Sequence, residues 1–256
     1  STRSATASPR RDSHLRKELE IAGTVQRMLV PPTRVTVGGL TAHAWYRGAE
    51  QCSGDWWTLV PAGDGAMLVV GDVTGHGAPA AIVVGMIKGA LDMALLGMGQ
   101  TMRPYMMMNL LNHVLMDSVD REYFMTAVIA RFDPHTGGLS VGNAGHRPPW
   151  ILSPNGSKAT KGNRQPPLGS TRGHRYVDDE LKLEPGERLI AFTDGLVEAR
   201  SPDGREFGER TLRAVCEGAH SGGSEAICAA VQRAVEAHVG ADRPFTDDVT
   251  FVVFDA

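Results

Sequence analysis

The chain has 256 residues, 42% of them hydrophobic and 21% charged, enough for one large domain with a full core or a domain with a short appendage. Its formal net charge of −3 gives no global electrostatic case for nucleic acid or an anionic membrane surface. Three scattered cysteines (Cys52, Cys216, Cys228), with no CxxC pair, read as reduced intracellular thiols rather than a disulfide frame or a zinc site.

Residues 1–11 are Ser, Thr, Ala and Arg with one Pro, and are expected to be disordered. From about Asp12 to Leu29 the spacing predicts a helix, capped by Asp12 or Ser13 and stopped at Pro31-Pro32. Its apolar residues form two stripes: Leu15, Leu19, Ala22 and Leu29, beside Ile21, Val25 and Met28. Two stripes fit either a simply docked helix or one that also pairs with a second helix, with Val25 and Met28 expected nearer the domain. The chain opens at Ser1 without a methionine, so an upstream region is expected.

Strands are predicted near 40–47, 57–61 and 66–71, with a hairpin turn at Pro61-Ala62-Gly63-Asp64-Gly65. Helices follow from about Pro79 to Leu96 and from about Pro104 to Val119, the second filling core with Met106-Met107-Met108. Strands resume near 123–132, 138–143 and 148–152; residues 153–172 are polar and rich in Gly and Pro, and are expected to be a loop. Strands near 176–183 and 187–193, helices near 208–218 and 223–239, and a last strand near 249–254 complete the chain. Hairpin-linked strands and helices in consecutive pairs argue for an α+β fold with antiparallel sheets, not βαβ crossovers. No apolar run approaches the roughly 18–20 residues that span a bilayer, and no signal peptide is recognisable. The segment is therefore expected to be cytoplasmic and without membrane contact.

Four acidic stations stand where apolar runs meet small residues: Ser53-Gly54-Asp55, Gly71-Asp72-Val73-Thr74-Gly75-His76-Gly77, Thr193-Asp194-Gly195 and Asp247-Asp248-Val249-Thr250. The pattern is a buried strand with an aspartate at its mouth. Carboxylates gathered in one cleft must protonate or be neutralised. A hard divalent cation does the latter, and an all-oxygen donor set selects Mg²⁺ or Mn²⁺ over zinc. That chemistry points to hydrolysis of phosphate esters. Taken singly, each aspartate also fits a turn or cap, and Asp248 competes with Asp247 as a ligand.

The order SGDWW, GDVTGHGAPAA, FMTAVIARFD, NAGHRPPWIL, PLG, LIAFTDGLVEARSPDGREFGE and DDVTFVVF resembles the SpoIIE/RsbU branch of the PPM-type (protein phosphatase 2C-like) serine/threonine phosphatases. The likeness runs over about residues 15–254 and includes the entry helix. It implies an α-β-β-α sandwich of two antiparallel sheets flanked by helix pairs, with an N-terminal linker helix and the metal site at one end of the sheets. The resulting division is a tail at 1–11, a linker and dimerisation helix at 12–32 and a phosphatase domain at 33–256.

The resemblance also implies roles. Asp72 matches the aspartate that bridges two metal ions, with the Val73 carbonyl in one shell. Asp55 matches the acidic residue joining that metal, directly or through water, and Asp194 and Asp247 match the holders of the second ion. Two ions activate a bridging water to hydroxide for direct attack, without a phosphoenzyme. Thr74, Gly75 and His76 are candidates to face the substrate phosphate, His76 fitting a structural role as well. Thr74 occupies the place where the wider family carries its proton-donating histidine. Asn143-Ala144-Gly145-His146 is read as a strand end shaping the domain. Thr58 replaces a second aspartate found in many RsbU-like relatives, which puts a third metal in doubt.

By the same likeness the substrate is a phosphoserine or phosphothreonine on an anti-anti-sigma (STAS) protein. The expected partners are that protein, a sensor domain upstream on the same chain and a second copy bound through the entry helix. A non-catalytic partner-switching module and a hydrolase of small phosphate esters are the competing readings.

Overall fold

Met67-Leu68-Val69-Val70 and Phe251-Val252-Val253-Phe254 are apolar at every position, which suits a strand covered on both faces. The computed structural model, which describes residues 20–99, 101–119, 122–162, 165–240 and 243–255, places both runs in that setting. The predicted tail at 1–11 and the first part of the entry helix, with Leu15 and Leu19, lie outside the described residues.

The described part of the entry helix is α1, residues 20–27. One sheet has six strands: β1 (Arg34–Val37), β2 (Leu40–Arg47), β7 (Trp150–Ser153), β8 (Gly156–Ala159), β10 (Arg188–Phe192) and β11 (Val249–Asp255), in the spatial order β1-β2-β11-β10-β7-β8. The other has five: β3 (Asp55–Ala62), β4 (Gly65–Val73), β5 (Met125–Asp133), β6 (Gly138–Ala144) and β9 (Asp179–Lys182), in the order β3-β4-β5-β6-β9. Every strand pairing is antiparallel. Helices α2 (Ala78–Met98) and α3 (Pro104–Ser118) cover the five-stranded sheet. Helices α5 (Glu209–Ala219) and α6 (Gly223–Val239) cover the six-stranded one, and a short α4 (Asp194–Glu198) follows β10.

Period-2 alternation divides each apolar run between two cores. Leu68 and Val70 meet Val252 and Phe254 between the sheets. Met67 and Val69 face Ile87, Leu91, Met107 and Met108 of the helix layer, so the methionine cluster does fill core. Phe251 and Val253 pack on Val231 and Val235 of α6.

The predicted sandwich is the observed fold, with differences at the edges. The expected loop 153–172 contains β8, and β1 was not foreseen. Both are four-residue edge strands with no continuous apolar signal. β9 is shorter than the predicted 176–183 strand. The expectation that no apolar run reaches membrane-spanning length is corrected by α2: its 21 residues contain a window of mean hydropathy 1.7, long and apolar enough to cross a bilayer by length and composition. One face of α2 lies in the core through Val84, Ile87 and Leu91, while Ile82, Met93 and Leu96 are exposed. The small residues Gly85 and Gly89 lower the contrast between its faces, so periodicity marks it weakly.

Candidate metal centre

The four aspartates arrive from both sheets at one end of the sandwich. Asp55 opens β3 and is the direct cross-strand partner of Asp72 on β4; Asp72 pairs on its other side with Thr126 of β5. Strand alternation turns Asp55 and Asp72 toward the opposite sheet, on the face that carries Trp57 and Val70. Thr58 has the other parity and lies on the helix-covered face with Trp56. A carboxylate there would point away from the Asp55–Asp72 face.

Glycines let the backbones close in. A Cβ on Gly54 would overlap the Val73 carbonyl oxygen and stand 3.2 Å from Asp72 Oδ1, and the Val73 amide donates to the Gly54 carbonyl at 3.0 Å. On the other sheet, Asp194 is the first residue of α4 and Asp247 lies in the loop before β11. A Cβ on Gly195 would overlap the Asp248 carbonyl oxygen and stand 3.1 Å from the Asp247 Cβ. The Asp-Gly pair at 194–195 is thus required by the approach of a second aspartate station, beyond any local turn. Gly75 and Gly77 adopt φ of 86° and 78°, conformations that suit glycine.

The two neighbouring acids of the last station behave differently. Asp248 accepts the Ala49 amide on Oδ1 at 2.8 Å and the Gly54 amide on Oδ2 at 2.9 Å, pinning the loop that leads into Asp55. Asp247, by contrast, accepts the adjacent Asp248 amide, at 2.8 Å. Asp55, 2% exposed, accepts the hydroxyls of Thr193 at 2.7 Å and Thr250 at 2.8 Å on the same oxygen, Oδ2.

The electrostatics are those of crowded acids. Burial, then repulsion from Asp194, Asp247 and Asp248, pushes Asp72 up to about 7. Burial and then the Asp72 charge raise Asp55 well above the usual carboxylate range, against the pull of the two threonine hydroxyls. Burial also raises Asp247, partly offset by the Asp248 amide. A cation would remove the penalty. Asp72, Val73, Thr74, Gly75, His76 and Asp247 help line a cleft of about 410 Å³ there. Among the described residues no three His, Cys, Asp or Glu side chains stand together in a metal-holding group. In donor chemistry the set fits: it is all oxygen and net negative, as Mg²⁺ and Mn²⁺ demand.

The phosphate-facing candidates separate. The Thr74 hydroxyl is committed to backbone, donating toward the carbonyls of Glu122 and Phe124 at 3.2 Å each and accepting the Phe124 amide at 3.1 Å. His76 sits exposed on the rim, its Nδ1 3.3 Å from Glu50 Oε2. His146 lies inside instead. Its Nε2 faces the Phe192 carbonyl at 3.1 Å, which can only accept, so Nε2 carries the proton and Nδ1 receives the Thr126 hydroxyl at 2.8 Å. Burial lowers its pKa to about 4 despite Asp194 nearby. His146 is a neutral joint between the sheets, in keeping with a structural role for the Asn143–His146 segment.

Helix α1 touches the same end. Gln26 exchanges two hydrogen bonds with the Ser53 backbone, its Oε1 accepting the amide at 2.9 Å and its Nε2 donating to the carbonyl. Trp56 Nε1 donates to the Leu29 carbonyl at 3.0 Å, and a Cβ on Gly23 would overlap the Gln51 carbonyl. Val25 and Met28, expected nearer the domain, are instead 56% and 77% exposed, with Ile21 beside them at 66%. The docking face is small and polar, which an apolar-stripe criterion passes over. Thr193, Thr250 and Gln26 were also passed over, the threonines because a β-branched residue beside a strand needs no further explanation.

Residues 62–256 match the family described as Stage II sporulation protein E (SpoIIE). The chain is 29% identical over 195 residues to the phosphoserine phosphatase RsbU of Bacillus subtilis, covering 74% of this chain and 56% of that one. It is 27% identical over 270 residues to protein IcfG of Synechocystis, covering 94% of this chain and 42% of that one. The chain thus spans about half the length of these curated relatives. The SiaA-PP2C domain of Pseudomonas aeruginosa superposes with a TM-score of 0.82 at 20% identity, over 98% of this chain and all of that one (100%).

Proposed function

Because this chain belongs to the SpoIIE family of PPM-type, protein phosphatase 2C-like phosphatases, we propose that it is a metal-dependent serine/threonine protein phosphatase acting on a phosphorylated STAS regulator. The observation that carries the reading is the convergence of Asp55, Asp72, Asp194 and Asp247 from two sheets, with Asp72 raised to about 7 by burial and then by its acidic neighbours. Asp55, Asp72, Asp194 and Asp247, with the Val73 carbonyl, would hold the divalent cations, Asp55 and Asp72 from one sheet and Asp194 and Asp247 from the other. Asp248, with both oxygens on backbone amides, is a loop pin rather than a ligand. Once bound, Mn²⁺ or Mg²⁺ lowers the pKa of a water and offsets negative charge on the phosphoryl oxygens.

The protein's own part is orientation. The glycine contacts at 54 and 195 fix how closely the carboxylate pairs approach. Gly75 and His76 face the incoming phosphate from the rim; Thr74, its hydroxyl already occupied, anchors that loop to 122–124. The exposed Ile21, Val25 and Met28 stripe of α1 receives the same helix of a second copy, and Gln26 connects that helix to the strand carrying Asp55. The buried cysteine thiols fit a reducing, cytoplasmic setting.

The deciding experiment is Mn²⁺-dependent phosphate release from phosphorylated STAS proteins compared with free nucleotides and p-nitrophenyl phosphate. Selective release from the protein substrates is expected. Equal release from nucleotides would favour a small-ester hydrolase, and none from any substrate a non-catalytic binding module.

A further inference from the structure

Thr193, directly after β10, and Thr250, in β11, are both fully buried, at 0% exposure. Their hydrogen bonds form a directed set. The Thr250 amide donates to Thr193 Oγ1 at 2.9 Å, which leaves the one Thr193 hydroxyl hydrogen for Asp55 Oδ2 at 2.7 Å. The Thr250 hydroxyl reaches the same Oδ2 at 2.8 Å, while the Thr193 amide returns to the Thr250 carbonyl at 3.0 Å. Valine would satisfy the shape and strand preference of either position, and a buried hydroxyl costs free energy unless bonded. Here both hydroxyls are spent on one carboxylate oxygen across the gap between sheets. Thr193 directly precedes Asp194, and Thr250 stands three residues after Asp247.

We propose that Thr193 and Thr250 are positioning residues that lock the Asp55 carboxylate in one orientation, with Oδ2 occupied and Oδ1 left for a cation, and thereby strap the Asp55–Asp72 pair to the Asp194–Asp247 pair. The strap rests on the metal-centre reading above. It ties together the ends of the two sheets where repulsion among the carboxylates acts to drive them apart. Charge-assisted hydrogen bonds are the stronger kind in proteins, so losing one should be measurable in ion affinity.

The test is Mn²⁺ titration, by calorimetry and by thermal shift, of the protein and its Thr193→Val, Thr250→Val, Thr193→Ser and Thr250→Ser variants. Turnover of p-nitrophenyl phosphate is followed alongside. Each valine variant is expected to raise the Mn²⁺ midpoint about tenfold; each serine variant, keeping the hydroxyl, should stay within about threefold. In an Asp55→Ala background the valine change should add nothing, because the strap acts through Asp55. Valine variants that bind Mn²⁺ like the parent, or a shift that persists undiminished without Asp55, would overturn the strap while leaving the metal centre standing. If valine prevents folding, the serine variants decide: a tenfold shift with the hydroxyl retained assigns the effect to methyl packing and overturns the proposal. Failure of the parent itself to bind Mn²⁺ would overturn both readings.

Discussion

Asp72 concentrates the chemistry of this end of the sandwich. Substituting Asp72→Asn or Asp194→Asn is expected to abolish Mn²⁺-dependent phosphatase activity while raising the melting temperature of the metal-free protein, because each change removes a repelling charge. The same reasoning fixes a pH dependence. Asp72 titrates near 7 in the folded protein and near 3.8 when unfolded, so the native state holds the extra proton between those values. Stability of the metal-free protein therefore falls as pH rises from about 4 to about 7. At about 1.4 kcal/mol per unit the loss is on the order of a few kcal/mol. Melting curves in chelator at pH 5 and pH 7.5 should show the drop; saturating Mn²⁺ should remove most of it, and Asp72→Asn only the share that Asp72 contributes, since burial raises Asp55 and Asp247 too. His76→Ala, on an exposed rim residue, should keep activity on an acidic leaving group within a few fold. A loss of about 10²–10⁴ confined to basic leaving groups would make His76 the general acid. The four aspartates could be read from sequence because each ends or begins an apolar run. The donors that orient them could not, since Thr193, just past β10, and Thr250, within β11, look ordinary until the second sheet is placed against the first.

Among the elements, α1 departs furthest from its periodicity. Its exposed stripe of Ile21, Val25 and Met28 and its docked Gln26 make separable predictions. Val25→Glu with Met28→Glu should lower the mass of any homodimer in sedimentation and leave basal turnover of a small ester unchanged. Gln26→Ala should leave the mass alone and reduce turnover several-fold, by loosening the Ser53 backbone next to Asp55. The opposite pattern would restore the expectation that the apolar stripe is the docked one. Strands with long apolar runs, β4, β5 and β11, were readable because burial on both faces leaves few polar interruptions. The edge strands β1 and β8, four residues each and partly in water, carry no such signal. Helix α2 was readable in position but not in character: its boundaries were close, its membrane-like hydropathy was not anticipated.

For the molecule as a whole, order along the chain mattered more than any single motif: seven short segments in sequence implied the sandwich that the pairing of strands then displayed. How the layers lock together was not readable, because the contact joins residues far apart in sequence, Asp55 on one sheet and Thr250 on the other. One consequence reaches back to biosynthesis. β11 is an interior strand, bonded to β2 on one side and β10 on the other, yet it is made last of the three. Until β11 has been synthesised, β2 has no strand neighbour but β1, and its Trp45 and Ala44 must wait for a strand that begins at Val249. Long-range pairing of this kind folds slowly and leaves strand edges open meanwhile. Closure of the six-stranded sheet, and with it assembly of all four aspartates, therefore waits until β11 has been made.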